Sequence, residues 1–116
     1  MTSIREAFAI ILGAALALFL LRVYAQAETG MGSYYYEGQH VACGGRFNPE
    51  AMTAAHKTLP CGSRVTVTNR RSGKSVQVVI NDRGPFVRGR IIDVSRAAAR
   101  VLGMMGPGVV PVDVSH

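Results

Sequence analysis

The run Asn81-Asp82-Arg83-Gly84-Pro85-Phe86 sets a carboxylate where an alternating apolar stretch, Ser75 to Ile80, meets a Gly-Pro turn. A strand end is a rigid mount, and the turn beyond it leaves the side chain open to a ligand. Arg83 and Arg88 lie close by in sequence and could hold a carboxylate or a substrate anion. A structural role competes with this reading, because an Asp in such a run also caps turns and pairs with its neighbouring Arg. Beyond the N-terminal segment the acidic residues are Glu28, Glu37, Glu50, Asp82, Asp93 and Asp113. Glu28 and Glu37 are expected to be solvated, and Asp113 falls in a segment with no other polar constellation. Asp93, just ahead of an expected helix, reads as a hydrogen-bonded strand-end residue. By itself His56, after Thr53-Ala54-Ala55, reads as a structural histidine.

These groups must be carried by a small domain. Residues 1–27 read as an export signal: Arg5 precedes the uncharged apolar run Ala7 to Leu21, and Ala25-Gln26-Ala27 is a small-x-small cleavage site. The run is short for a membrane span, which needs about 20 residues. The alternative is an uncleaved anchor, since Leu21-Arg22-Val23-Tyr24 blurs the end of the apolar run. After signal removal no stable membrane span is expected, and residues 28–116 form one domain with room for one core. Its two cysteines, Cys43 and Cys61, are expected to form a disulfide, since a small exported domain favours a bridge over a metal pair. No trio of His, Cys, Asp or Glu has metal-ligand spacing, so neither a metal nor a cofactor is expected. The net charge of +6 is spread along the chain, with no basic run longer than Arg70-Arg71. With export, that distribution argues against nucleic acid and suits an anionic envelope polymer.

The pattern within 28–116 is mainly β. Ser33 to Tyr36 is strand-like. Arg64 to Thr68 and Ser75 to Ile80 alternate and read as a hairpin around Ser72-Gly73. Ile91 to Val94 is a short strand, and Ser95 is a good N-cap for a helix over Arg96 to Leu102 that stops at Gly103. Gly108 to Val114 is a final apolar run whose Pro111 favours an edge or bulge position. Many short strands with one short helix point to a small closed barrel.

The order of the motifs resembles one family. The segments Thr53-Ala54-Ala55-His56-Lys57-Thr58-Leu59-Pro60, Gly62 to Asn69, Asn81 to Phe86, and Arg90-Ile91-Ile92-Asp93-Val94-Ser95 with Ala97-Ala98-Ala99 are similar to the rare lipoprotein A family. The likeness covers Gly32 to Val114. These are septal-ring-associated lytic transglycosylases of the bacterial envelope. The resemblance implies a six-stranded double-psi β-barrel and action on peptidoglycan glycan strands in the periplasm or envelope. It also implies that Asp82 is the catalytic acid and His56 an active-site residue, which could orient the Asp82 carboxyl or hold a sugar hydroxyl. A lytic transglycosylase needs an acid at the leaving oxygen but can use the muramoyl C6 hydroxyl as nucleophile, leaving 1,6-anhydro ends; a hydrolase needs a second carboxylate. To donate a proton near neutral pH the acid needs a raised pKa, by burial or a neighbouring carboxylate. Asn81 and Arg88 are candidate sugar contacts. Tyr34 and Tyr36 are candidate stacking residues, with alternation sending Tyr35 to the opposite face.

The chain also departs from the family pattern. Many members carry an acidic residue where Gly45 stands, and often Asp where Asn48 stands. The C-terminal glycan-binding repeat domain of many members is expected to be absent, since the chain stops at His116. An expansin-like module that grips or loosens the wall polymer without cutting it is therefore the alternative function.

Overall fold

The structure, a computed structural model, describes residues 27–116; the expected leader lies outside the described residues except for Ala27. Its elements are β1 (Glu28–Tyr35), β2 (Thr53–His56), β3 (Arg64–Asn69), β4 (Ser75–Asp82), β5 (Arg90–Ser95), the helix α1 (Arg96–Leu102) and β6 (Val109–Ser115). The strands close into a barrel in the order β1-β5-β2-β4-β3-β6. The β1–β5 and β2–β4 pairs are parallel and the other four antiparallel. This is the expected six-stranded barrel with one short helix.

Alternation builds the interior. Val65 and Val67 of β3, Val78 and Ile80 of β4, Ile92 and Val94 of β5, and Val110, Val112 and Val114 of β6 are all buried in one core. Each such side chain contributes about 1.5–3 kcal/mol on burial. The expected hairpin is β3–β4, paired from Arg64↔Val79 to Thr68↔Ser75. Helix α1 has the expected bounds. Ser95 Oγ accepts the Ala98 N–H at 3.2 Å, and Gly103 closes the helix at φ 68°, a left-handed position that glycine adopts without cost. Ala98, Ala99 and Leu102 join the core.

Strand β1 starts five residues before the expected Ser33. Gly30 and Gly32 conceal it, because glycine weakens an isolated strand signal. Their reason is packing: a Cβ on Gly32 would lie 2.9 Å from Val112 Cγ1. Pro111 stands opposite Met31 but one step beyond the last β3–β6 pair, Asn69↔Val112. Its carbonyl accepts the Arg70 N–H at 2.9 Å. The proline thus sits where pairing on one side has stopped. Among the described residues, no helix is long and apolar enough to cross a membrane.

Candidate functional site

Four neighbouring strands place one residue each in a row. Ser33 of β1 pairs with Asp93 of β5, Asp93 with Ala55 of β2, and Ala55 with Asp82 of β4. Paired residues point to the same face of a sheet, and their chain neighbours to the other. Ile92 and Val94, flanking Asp93, are buried in the core, so the row lies on the outer face. In this row Ala55, with its small side chain, stands between the two carboxylates.

Asp82 reaches this face through a bulge. Ala54 pairs with Ile80, but Ala55 pairs with Asp82, leaving Asn81 without a partner on β2. Without the extra residue, Asp82 would follow Val78 and Ile80 into the barrel. A bulge re-aims a side chain in this way. The carboxylate is then held by Oδ1, which accepts the Ala42 N–H at 2.8 Å and the Arg83 N–H at 2.9 Å. No protein hydrogen bond engages Oδ2 among the described residues, which leaves it for a ligand.

The segment that supplies the Ala42 N–H is fastened over the site. Cys43 and Cys61 are bridged as expected, and the Cys43 N–H donates to the Asn81 carbonyl at 3.0 Å. Gly44 and Gly45 turn the segment back at φ 100° and 90°, where a side chain would be strained. Asn48 Oδ1 accepts the Glu50 N–H at 2.9 Å. At Gly45 and Asn48 the chain therefore has local turn chemistry. Beside them, Gly38, Gln39, His40, Arg46 and Phe47 line a cleft of about 300 Å³.

Asp93 is more than a strand-end residue. Burial pushes its carboxyl up to about 6, and the Asp82 charge adds to the rise, against the Ser33 hydrogen bond at 3.2 Å and the Arg90 charge. A carboxyl that keeps its proton to such a pH has the property that proton donation to an ether oxygen requires. The same shift makes a stability prediction. With its folded pKa above its ordinary value, Asp93 favours the fold below about pH 4, and that contribution is lost as pH rises through about 6. Asp93→Asn should therefore raise Tm at pH 7–8 and leave it nearly unchanged below pH 4 in thermal melts. A lower Tm at pH 7–8 would instead show that Asp93 holds the barrel together.

The tyrosines divide by alternation, but the site takes the other one. Tyr34 pairs with the buried Val94, packs against the core, and donates its OH to the Met105 carbonyl at 3.3 Å. Tyr36 is 53% exposed, its ring 6.4 Å from that of Tyr34. Tyr35 lies on the same face as Ser33, its ring stacked on Phe47 at 4.4 Å. Burial and the charges of Asp82 and Asp93 drive its phenol pKa above the ordinary value. Tyr35 Oη, Thr53 Oγ1 and Asn81 Oδ1 are buried without a hydrogen-bond partner among the described residues. All three fall within two positions of the row, and orphaned polar atoms of this kind call for an explanation. Arg88 and Phe86 are exposed in the loop beyond Asp82, Phe86 at 81%.

His56 has no hydrogen bond to Asp82. It follows Ala55 and pairs with the buried Ile92, which turns its ring to the opposite face. Nδ1 accepts the N–H groups of Thr58 and Leu59 at 3.1 and 3.0 Å. The ring proton therefore sits on Nε2, which bonds Glu28 Oε1 at 2.8 Å. Glu28, expected to be solvated, thus has a partner. The link from His56 to the site runs through its carbonyl, which accepts from Arg83 Nη1 at 2.8 Å. Glu50 is taken up by Arg96 and Arg100 at 2.6 and 2.8 Å, and Asp113 accepts from Thr29 Oγ1 at 2.8 Å. Among the six acidic residues only Asp82 and Asp93 meet in the row. Asp93 could have been found in the sequence from its alternation with Ile92 and Val94, but its neighbours on β1 and β2 could not.

A family model described as lytic transglycolase matches residues 27–114. The chain is 61% identical over 90 residues to a probable endolytic peptidoglycan transglycosylase RlpA of Nostoc sp., covering 73% of this chain and 24% of that protein. It is 55% identical over 86 residues to the endolytic peptidoglycan transglycosylase RlpA of Pasteurella multocida, covering 72% and 29%. It therefore spans about a quarter of the length of these relatives. Among solved structures, the Streptomyces papain inhibitor superposes with a TM-score of 0.64 at 27% identity, covering 78% of this chain and 93% of that one. An expansin of Clavibacter michiganensis superposes with a TM-score of 0.62 at 24% identity, covering 76% and 48%, a likeness of fold alone.

Proposed function

The chain belongs to the lytic transglycolase family, and from that membership we propose that it cleaves peptidoglycan glycan strands by lytic transglycosylation outside the cytoplasm. The observation that carries this reading is the Asp82–Asp93 pair on one outer face, with Asp93 pushed up to about 6. Export rests on the leader pattern of residues 1–27 and on the Cys43–Cys61 bridge.

The two carboxyls divide the work. Asp93, holding its proton, donates it to the glycosidic oxygen; the C1–O bond breaks and its electron pair stays on the leaving oxygen. The Asp82 carboxylate faces the positive charge that builds at C1. The muramoyl C6 hydroxyl attacks C1 to form the 1,6-anhydro ring, and its proton passes to Asp82. Solvent exchange then returns the pair to its starting state, and no water is consumed. Asp82, the acid expected from the resemblance, thereby serves as base and Asp93 as acid. The proton count belongs to the pair, not to either residue.

The remaining candidates take supporting roles. His56 positions the turn after Asp82 through its bond to Arg83. Asn81 supplies the bulge and Arg88 a cation at the rim, and Phe86 and Tyr36 offer exposed rings to sugar faces. Digestion of purified glycan strands tests the whole reading. Mass analysis should show fragments ending in 1,6-anhydro-muramic acid, with the rate falling as pH rises through about 6. Reducing ends would mean hydrolysis, and binding without fragments would favour the expansin-like alternative.

A further inference from the structure

Tyr35 carries a polar group that neither the barrel nor the mechanism uses. Its ring has a packing partner in Phe47, at 4.4 Å, but its hydroxyl is buried with no hydrogen-bond partner among the described residues. A phenylalanine would fill the same space, and an unpaired buried hydroxyl is unfavourable. Burial, and after it the charges of Asp82 and Asp93, disfavour loss of its proton. It therefore remains a donor at any pH at which the site works. Tyr35 stands two residues from Ser33 on β1, on the face where Ser33 already donates to Asp93.

We propose that Tyr35 is a positioning residue of the carboxylate pair, its hydroxyl turning to donate a hydrogen bond to the carboxylate formed when Asp93 gives up its proton. The proposal rests on the reading of the site as an acid–base pair. At rest below about pH 6 Asp93 holds a proton, and the hydroxyl, although the Asp82 charge acts on it, makes no hydrogen bond among the described residues. When the proton leaves for the glycosidic oxygen, a buried anion appears beside it. The phenol keeps its own proton throughout and no bond to it is made or broken. The groups that face Asp93 are Ser33 and Tyr35 from β1, the uncharged Ala55 from β2, Asp82 from β4 and Arg90 from its own strand. Of these, Tyr35 offers a buried donor with no resting partner among the described residues.

Tyr35→Phe keeps the ring and removes only the hydroxyl. Three measurements on the whole chain are needed: thermal melting, the pH–rate profile on purified glycan strands, and the titration of the Asp93 carboxyl followed by carbon NMR. Tm should hold or rise, since no protein hydrogen bond is lost. The kcat should fall about tenfold, the low end of a hydrogen bond to a charged group, with KM little changed. Losing a donor to the charged form raises the carboxyl's pKa, so its titration and the alkaline limb of the rate profile should both move to higher pH. A titration that does not move overturns the proposal, whether or not the chain cleaves glycan. A titration that moves, in a wild type that releases no product, supports the Tyr35 coupling and removes the glycan-cleaving reading instead. Unchanged kcat alongside active wild type also overturns it.

Discussion

Asp82→Asn should lower the release of 1,6-anhydro-ended fragments by about 10²-fold or more, the low end of what a positioned acid–base group supplies. The amide keeps the shape of the carboxylate, and its oxygen can still accept from the N–H groups of Ala42 and Arg83. On the proposed mechanism, what it loses is the negative charge facing C1 and the ability to take the C6 hydroxyl proton. Binding to insoluble sacculi should survive, because those losses act on charge that develops in the transition state. A second readout comes from the partner. The Asp82 charge helps to raise Asp93, so in the variant Asp93 should titrate at lower pH and the residual rate should begin to fall earlier. His56→Ala should lower the rate less, because its ring is bonded to Glu28 and the 58–59 backbone and not to the carboxylate. Full activity in Asp82→Asn would remove Asp82 from the chemistry.

The double variant Cys43→Ser, Cys61→Ser should lose about 3 kcal/mol of stability, the chain-entropy value for a loop of this size. In a small domain that is a large share of the total, so the urea midpoint should fall clearly. The bridge has a second duty that stability alone does not register. It fastens the segment whose Ala42 N–H holds Asp82 Oδ1, and Arg83 Nη2 lies 3.7 Å from Cys61 Sγ. The rate per folded molecule, measured well below the melting temperature, should therefore fall as well. A stability loss with an unchanged rate would show that the segment keeps Asp82 in place without its staple.

Local chemistry made some of this legible in the residues. Ser95 and Gly103 bound helix α1 because capping and left-handed termination depend on near neighbours. The β3–β4 hairpin is visible because alternation and its turn lie within one short stretch. Strand β1 is obscured because Gly30 and Gly32 are chosen for contact with distant strands, not for strand propensity. Tyr34 and Tyr36 suggest a stacking platform by residue type, but their partners decide otherwise for Tyr34, which faces the core.

By itself the sequence determined the mainly β barrel with one helix, the two cysteines suited to a bridge, and the Asp82 motif at a strand end. Those properties follow from periodicity, composition and turn residues, all of them local. Tertiary structure alone decided that Asp93 stands in a row with Asp82, that His56 turns away from it, and that Tyr35 and not Tyr34 faces the site. The physical reason is register. One residue without a partner on β2, Asn81, reverses the face of Asp82 at the end of β4, and a carboxyl's pKa depends on which strands the closed barrel brings beside it.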